Sequence, residues 1–126
     1  NLVPELNAYE NIILPLKLGR RRIDRRYIDG LIDALGLGDR LTHYSDELSG
    51  GQCQRVAIAR ALAADPSVIL ADEPTGNLDE KNSREVMELL KKANREFGKT
   101  IVLVTHDPEA AGYADSAIHL VDGQQA

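Results

Sequence analysis

The sequence predicts an α/β fold with parallel strands, and two features of its second half lead to that prediction. The first feature is a pair of apolar runs, SVILAD and TIVLVTHD, each of which ends in polar or acidic residues. Runs of this kind are typical of strands buried on both faces, as in a parallel sheet. The second feature is a helical apolar pattern between them, so strand, helix and strand form a βαβ unit with an expected right-handed crossover.

The first half of the chain is predicted to be helical. The segment NAYENIILPLKL predicts a short helix that Asn7 opens and that Pro15 interrupts. An amphipathic helix follows and stops around Gly36. Its apolar residues recur at i, i+3, i+4 and i+7: Ile28, Leu31, Ile32 and Leu35. After a polar linker, the Ala-rich segment 52–64 predicts a third helix, which ends at Asp65-Pro66.

In the second half, the first strand lies in SVILAD and the helix after it starts near Asp79 or Glu80. This helix ends at Gly98. One of its faces is marked by Val86, Leu90, Ala93 and Phe97. The second strand lies in TIVLVTHD, and SAIHLVDG predicts a third strand that finishes in an Asp-Gly turn.

Composition favours one soluble globular domain, since the 126 residues are 43% hydrophobic. The net charge of −5 argues against a general nucleic-acid binder, which would carry a basic face. No apolar run is long enough to span a membrane. The single cysteine, Cys53, excludes an internal disulfide framework and fits a reducing compartment.

One local charge feature departs from the acidic average. The stretch RRRIDRR, Arg20 to Arg26, holds five of the fifteen basic residues. It is interpreted either as a solvated loop at the entry of a helix, or as a surface that contacts anionic lipid or a partner protein.

Polar side chains follow both apolar runs. Asp72 and Glu73 end the first strand, and His106 and Asp107 follow the second. Parallel strands deliver their carboxyl ends to one sheet edge, where open α/β folds bind ligands. One carboxylate there can hold a hydrated Mg²⁺ and the other can orient or deprotonate a water. The imidazole can donate a hydrogen bond to a phosphate oxygen or to the attacking water. A plain polar turn is the alternative interpretation of the acidic pair.

The stretch LSGGQCQR places flexible residues before a helix. Ser49, Gly50 and Gly51 precede helical N–H groups that have no intrahelical partner, and the helix dipole favours an anion there. Glycine lets a phosphate approach the backbone, and the Ser49 hydroxyl can donate to it. An ordinary serine N-cap is the alternative for this motif taken alone.

With these residues in place, the chain closely resembles the nucleotide-binding subunit of an ATP-binding cassette (ABC) transporter. LSGGQ is similar to the family signature, VILADE to a Walker B strand with its catalytic glutamate, GNLD to the D-loop, and His106 to the switch histidine. The segments NLVPELNAYENIILPL and DEPTGNLD most resemble the branch that includes the lipoprotein-release and macrolide-export ATPases.

The resemblance implies a role for each matching residue. Asp72 would bind Mg²⁺ through water, Glu73 would polarise the hydrolytic water, and His106 would contact the γ-phosphate of ATP. The signature residues would close over ATP bound mainly by a second, opposed subunit: Ser49, Gly50, Gly51 and Gln52. Asp79 would communicate across that dimer interface. The implied partners are a second copy, forming a homodimer, and transmembrane permease subunits at the cytoplasmic face of the membrane.

One part of the family's site is absent from these residues. No Gly-x-x-x-x-Gly-Lys-Ser/Thr phosphate loop occurs, so nothing here cradles the β- and γ-phosphates. We therefore expect a C-terminal fragment of a P-loop ATPase that is inactive alone. Residues 1–50 would form a helical subdomain leading into the signature, and 51–126 the C-terminal part of the ATPase core.

Two other functions stay open at this point: a soluble cassette ATPase of DNA repair or translation, and a non-catalytic remnant that binds a membrane partner through its helical half. A consequence of the expected truncation is that strand edges and apolar sheet faces lie open. Such edges pair readily with another chain, so we expect self-association through the sheet region.

Overall fold

Helices fill the first half of the chain, and strands alternate with helices in the second. The computed structural model describes residues 1–126. The helices are α1 (Ala8–Leu18), α2 (Arg25–Ala34), α3 (Gly50–Ala63), α4 (Glu80–Glu96) and α5 (Pro108–Ala111). The strands are β1 (Val68–Asp72), β2 (Thr100–Val104), β3 (Leu120–Val121) and β4 (Gln124–Gln125). A single 3₁₀ turn, Ser45–Glu47, precedes α3.

Helix α1 begins as predicted but does not break at Pro15. The Asn7 side chain accepts from the Glu10 N–H, and the Glu10 carboxylate accepts from the Asn7 N–H, which closes a capping box. The predicted interruption is wrong, because the helix continues to Leu18 with Pro15 inside it. Apolar side chains on both sides of the proline, including Ile12 and Leu16, are buried in the core, and this burial outweighs the lost hydrogen bond.

Helix α2 confirms its predicted apolar face and end. Asp24 caps its start by accepting from the Tyr27 N–H, and Gly36 ends it with φ +65°. All four apolar residues of the predicted stripe are buried. A positive φ at this point is the usual glycine stop of a helix.

Helix α3 starts two residues earlier than predicted and ends where expected. Ser49 is its N-cap, so Gly50 and Gly51 are its first two residues rather than a loop before it. At its other end the Leu62 carbonyl accepts from the Tyr27 hydroxyl, and the Ala64 carbonyl accepts from Arg21. Two side chains from the α1–α2 region therefore satisfy carbonyls that a helix end leaves without partners.

Strands β1 and β2 pair in parallel, which confirms the α/β prediction. Val68 lies opposite Thr100 and Asp72 lies opposite Val104, so both strands end at the same edge. The apolar runs are typical of strands buried on both faces, but one face is open here, as expected for the truncated sheet: Ile69 is 7% exposed, whereas its neighbour Leu70 is 78% exposed. Helices cover one face only, because no element of these 126 residues packs on the other.

The third predicted strand is short and does not join the parallel sheet. Only Leu120–Val121 is extended, and it pairs antiparallel with Gln124–Gln125. The connecting Asp122 and Gly123 both have positive φ, as a two-residue hairpin turn requires. The Asp-Gly turn is thus confirmed, but it forms a separate hairpin.

The buried apolar side chains form one cluster of 20 residues. It draws on α1, α2 and α3 and continues through Ile69 of β1 to Val86 and Leu90 of α4. The cluster contains residues from both 1–50 and 51–126, so the helical half and the strands share one core. None of the helices is both long and apolar enough to cross a membrane.

Candidate functional site

Glu73 follows β1 directly and turns the chain away from the sheet. Its N–H donates to the Val104 carbonyl at 2.8 Å, which extends the β1–β2 ladder by one residue. Its φ is +45°, in the left-handed region that residues with a side chain rarely adopt. The Gly76 N–H donates back to the Glu73 carbonyl at 3.1 Å and closes the turn. The backbone thereby projects the Glu73 carboxylate towards the residues after β2.

The Glu73 carboxylate is held by two successive residues of the second strand's end. One oxygen, Oε1, accepts from the His106 backbone N–H at 3.0 Å and lies 2.7 Å from His106 Nδ1. The other, Oε2, accepts from the Thr105 hydroxyl at 3.4 Å. The sequence prediction that Glu73 and His106 meet at one sheet edge is confirmed by this geometry.

These contacts change the proton affinity of both groups. The hydrogen bond from His106 is the main cause that lowers the pKa of Glu73 below its usual 4.5. The same hydrogen bond, with the negative charge of Glu73, raises the pKa of His106 above its usual 6.5. Glu73 is therefore ionised at neutral pH, as a group that attracts a proton from water must be.

Asp72 lies beside this pair but does not join it. It is the last residue of β1, is exposed, and forms no ion pair. No three His, Cys, Asp or Glu side chains of the chain are grouped closely enough to hold a metal ion by themselves. The Asp72 carboxylate is thus a solvent-exposed group at the sheet edge whose oxygens are available as ligands for a metal ion.

The first turn of α3 is organised by Ser49 and Gln52. Ser49 Oγ accepts from the Gln52 N–H at 3.1 Å, and Gln52 Oε1 accepts from the Ser49 N–H at 2.9 Å. This capping box leaves the Ser49 hydroxyl proton and the Gln52 side-chain NH₂ free to donate elsewhere. The ordinary N-cap interpretation is therefore correct for this turn, and it does not use up the donors of the motif.

Gly51 is required by packing, for a reason that the sequence did not reveal. A Cβ added at Gly51 would lie 2.3 Å from Asn82 Oδ1, at the start of α4. Asn82 is fixed in turn, because its N–H and its Nδ2 both donate to Asp79 Oδ1 at 2.8 Å. Gly51, Asn82 and Asp79 therefore bring the beginnings of α3 and α4 together within one chain.

One side chain, that of Gln54, connects helix α3 to the turn that follows Glu73. Gln54 Nε2, on α3, donates at 2.9 Å to the carbonyl of Pro74, the residue after Glu73. A cleft of about 360 Å³ opens beside the sheet edge, with Glu73 and His106 in its lining. Neither Asp72 nor the residues 49–52 line this cleft, so the structure brings together only part of the predicted site.

Three residues of this region were missed from the sequence. Thr105 lies between the second strand and His106. A hydroxyl directly before a candidate catalytic residue could have been predicted to bond to the same carboxylate. Gln54 stands two residues after the signature, on the helix face that meets the Pro74 turn. Asn82 stands three residues after the N-cap Asp79, a spacing at which side chains bond back to the cap.

Comparison with known proteins gives consistent matches along the chain. The ABC transporter family profile matches residues 1–76. An uncharacterized ABC transporter ATP-binding protein of Methanocaldococcus jannaschii is 52% identical, over 98% of this chain and 56% of the relative. The lipoprotein-releasing system ATP-binding protein LolD of Acinetobacter baylyi is 49% identical, over 98% of this chain and 55% of the relative. The chain thus spans about half the length of the curated relatives it matches.

Solved structures match equally broadly. The dimeric ATP-binding cassette MJ0796, in a post-hydrolysis state bound to ADP and Pi, superposes with a TM-score of 0.79 at 43% identity. That match covers 100% of this chain and 58% of the cassette. The cbiO1 protein of Clostridium perfringens, part of the ABC transporter complex cbiONQ, superposes with a TM-score of 0.88 at 29% identity, over 100% and 51% of the two chains. The α/β fold of this chain is accordingly that of one half of an ABC ATPase cassette.

Proposed function

The chain belongs to the ABC transporter family, and we propose that it is part of an ATP-binding subunit that couples ATP binding and hydrolysis to transport across a membrane. The LolD relatives act in lipoprotein release by name, which supports the branch indicated by the sequence. The activity is proposed for a subunit of the relatives' length that contains these residues.

The contact between Glu73 and His106 is the observation that carries this proposal. A carboxylate at the end of a parallel strand, ionised and aimed by a backbone N–H and an imidazole, is suited to accept a proton from an attacking water. His106 is 88% exposed at its side chain, so its ring can also turn towards a phosphate oxygen. We assign Glu73 as the general base and His106 as the group that contacts the terminal phosphate.

The residues fit ATP and its metal ion. Mg²⁺ in phosphate sites takes only one or two protein carboxylates and keeps water and phosphate oxygens for the rest. A single free carboxylate, Asp72, beside the base agrees with that ligand set. Bound Mg²⁺ would neutralise phosphate charge as it develops.

The signature turn is proposed to bind nucleotide held by a second copy. Ser49 and Gly50 are exposed, and the capping box leaves the Ser49 hydroxyl proton and the Gln52 side-chain NH₂ unused beside the backbone N–H groups at the start of α3. Gly51 packs closely against Asn82 and so fixes the position of this turn. Asp79 contacts the opposed subunit. The dimer of the similar cassette MJ0796 supports this arrangement.

The proposal is tested in a subunit that also carries a phosphate-binding loop, because residues 1–126 contain none. There Glu73→Gln should abolish turnover but still allow an ATP-bound dimer, since Asp72 is left for Mg²⁺. His106→Ala should slow turnover by about 10²–10⁴-fold. Near-normal turnover in both variants would exclude the assignment.

The 126-residue chain itself provides a second test. Calorimetry should detect no tight ATP binding and no turnover, because the backbone cradle and lysine of a phosphate loop are missing. Micromolar ATP affinity, with turnover that Glu73→Gln removes, would contradict this part of the proposal.

The remaining assignments concern organisation and partners. Residues 1–50 act as the helical subdomain and 51–126 as the C-terminal part of the ATPase core. The helical half approaches transmembrane permease subunits at the cytoplasmic face of a membrane, with the segment near 1–10 towards the permease and the segment near 20–26 towards the membrane surface. The sheet edge is committed to nucleotide, which supports placing the permease contact on the helices.

We further propose that the chain alone self-associates through its sheet. The open face of β1 and β2 exposes four large apolar side chains, which are Val68, Leu70, Val102 and Val104. Each strand also has one edge without a partner. Both features favour pairing with a second copy.

A further inference from the structure

We infer that the exposed arginines between the end of α1 and the first turn of α2 bind the phosphates of anionic phospholipids. Four of them, Arg20, Arg22, Arg25 and Arg26, form what we term the arginine patch. The inference rests on the proposed function only for the presence of a membrane close to this chain.

The patch is presented by an anchored loop. Arg21 is itself exposed, but its guanidinium donates to the Ala64 carbonyl at 2.7 Å and its N–H donates to the Leu16 carbonyl at 2.8 Å. The Gly19 N–H donates to the Pro15 carbonyl at 3.0 Å. All five arginines of the run are exposed, and one of them, Arg21, bonds the loop to the end of α3.

The charge of the patch is not neutralised within the chain. None of its four arginines forms an ion pair. The only acid inside the run, Asp24, caps α2 by accepting from the Tyr27 N–H at 3.2 Å. The chain as a whole carries −5, so this basic surface stands on an otherwise acidic protein. An uncompensated positive surface of this kind attracts an anionic one.

The shape of the region favours a membrane over an acidic peptide. Four clefts of about 1120, 390, 360 and 240 Å³ are lined by no residue of 17–26, so none of them offers the patch a groove for an extended segment. Leu18, directly before the loop, is 76% exposed. Basic side chains next to an exposed apolar side chain are typical of proteins that bind at a membrane surface. The arginines would bind lipid phosphates, and Leu18 would enter the boundary of the lipid layer.

The test measures co-sedimentation of the chain with vesicles, without nucleotide. Vesicles containing phosphatidylglycerol should bind it, and vesicles of phosphatidylcholine alone should not. Arg22→Gln/Arg25→Gln should weaken binding about 25-fold, since each basic residue near such a surface contributes about fivefold. The control Lys81→Gln/Arg95→Gln removes the same charge from exposed, unpaired positions on α4 and should bind as the unmodified chain does.

Further arms separate the alternatives. Arg22→Lys/Arg25→Lys keeps the charge and should retain binding, which distinguishes lost charge from a folding defect. Equal binding to both kinds of vesicle would assign adhesion to the open sheet face and overturn the inference. Displacement by inorganic phosphate at constant ionic strength, or preference for polyglutamate over anionic vesicles, would also overturn it. Because ATP plays no part, a negative result leaves the tests of Glu73 and His106 intact.

Discussion

His106 reaches Glu73 with two groups at once: its backbone N–H and its Nδ1 both contact the same carboxylate oxygen, at 3.0 and 2.7 Å. The backbone contact fixes the position of the carboxylate whatever the charge of the ring. The side-chain contact responds to pH. The pair therefore combines a permanent orientation with an adjustable electrostatic interaction.

The first prediction is the pH range of that interaction. The pKa of His106 lies above its usual 6.5, so its contribution to stability is complete below that pH and is lost as pH rises through the raised value. The pKa of Glu73 lies below its usual 4.5, so its contribution is complete above that pH and is lost as pH falls through the lowered value. The contribution of the pair to stability is therefore complete between the two usual values, pH 4.5 and pH 6.5.

An NMR titration of the His106 ring measures this directly. Glu73→Gln keeps a hydrogen-bond acceptor but removes the charge, so the pKa of His106 should fall. The ring signal of His119, in the C-terminal hairpin, serves as an internal control. An unchanged midpoint for His106 would show that the two side chains do not interact in solution.

The second prediction concerns Gly51. Gly51→Ala should lower the free energy of unfolding by about 1–3 kcal/mol, because the new methyl group would displace an Asn82 side chain that Asp79 holds. Gly30→Ala is the matched control, since a Cβ there meets nothing within 4 Å. It should raise stability by about 0.5–1 kcal/mol. Urea denaturation measures both, and equal effects would refute the close approach at Gly51.

The third prediction concerns Asn11, a buried polar residue that is 1% exposed. Its Oδ1 accepts from the Val3 N–H at 2.8 Å, and its Nδ2 donates to the carbonyls of Val3 and Leu6 at 3.1 Å. Asn11→Ala should cost about 1–3 kcal/mol, because buried backbone groups lose their partners. The exposed Asn77→Ala should change stability by less than about 0.5 kcal/mol. A small effect at Asn11 would mean that segment 1–7 is not held to α1.

The fourth prediction tests self-association of the chain. Leu70→Lys should shift the sedimenting species towards the 13.8 kDa monomer, because it places a charge on the open sheet face. Leu18→Lys is the control, since Leu18 is 76% exposed and Leu70 is 78% exposed, but Leu18 lies at the end of α1. A well-folded monomer of the unmodified chain at high concentration would contradict the proposal.

Much of the fold was accessible from the sequence, because its signals are local. Asn7, Asp79 and Ser49 cap helices in the way their side chains favour, and Gly36 and Gly98 end them with positive φ. The meeting of Glu73 and His106 followed from strand direction alone. Residues that end neighbouring parallel strands are necessarily close.

What the sequence could not supply depends on contacts between distant residues. An unbroken apolar run such as that around Leu70 does not reveal whether a second layer covers it. Pro15 would break an isolated helix, but burial of its neighbours keeps α1 continuous. The role of Gly51 depends on Asn82, 31 positions away, and no local pattern could indicate that contact.

Helix α3 acts as a strut whose two ends are fastened to different parts of the molecule. Its 14 residues span about 21 Å at about 1.5 Å per residue. Arg21 and Tyr27 fasten one end, and Asn82 lies against the other. If the loop that carries Arg21 moves relative to α3, the bond from Arg21 to the Ala64 carbonyl must break. If α3 moves with the loop, the turn at Ser49 moves as well. We therefore expect a movement of α3 that starts at the Arg21 contact to change the position of the turn at Ser49.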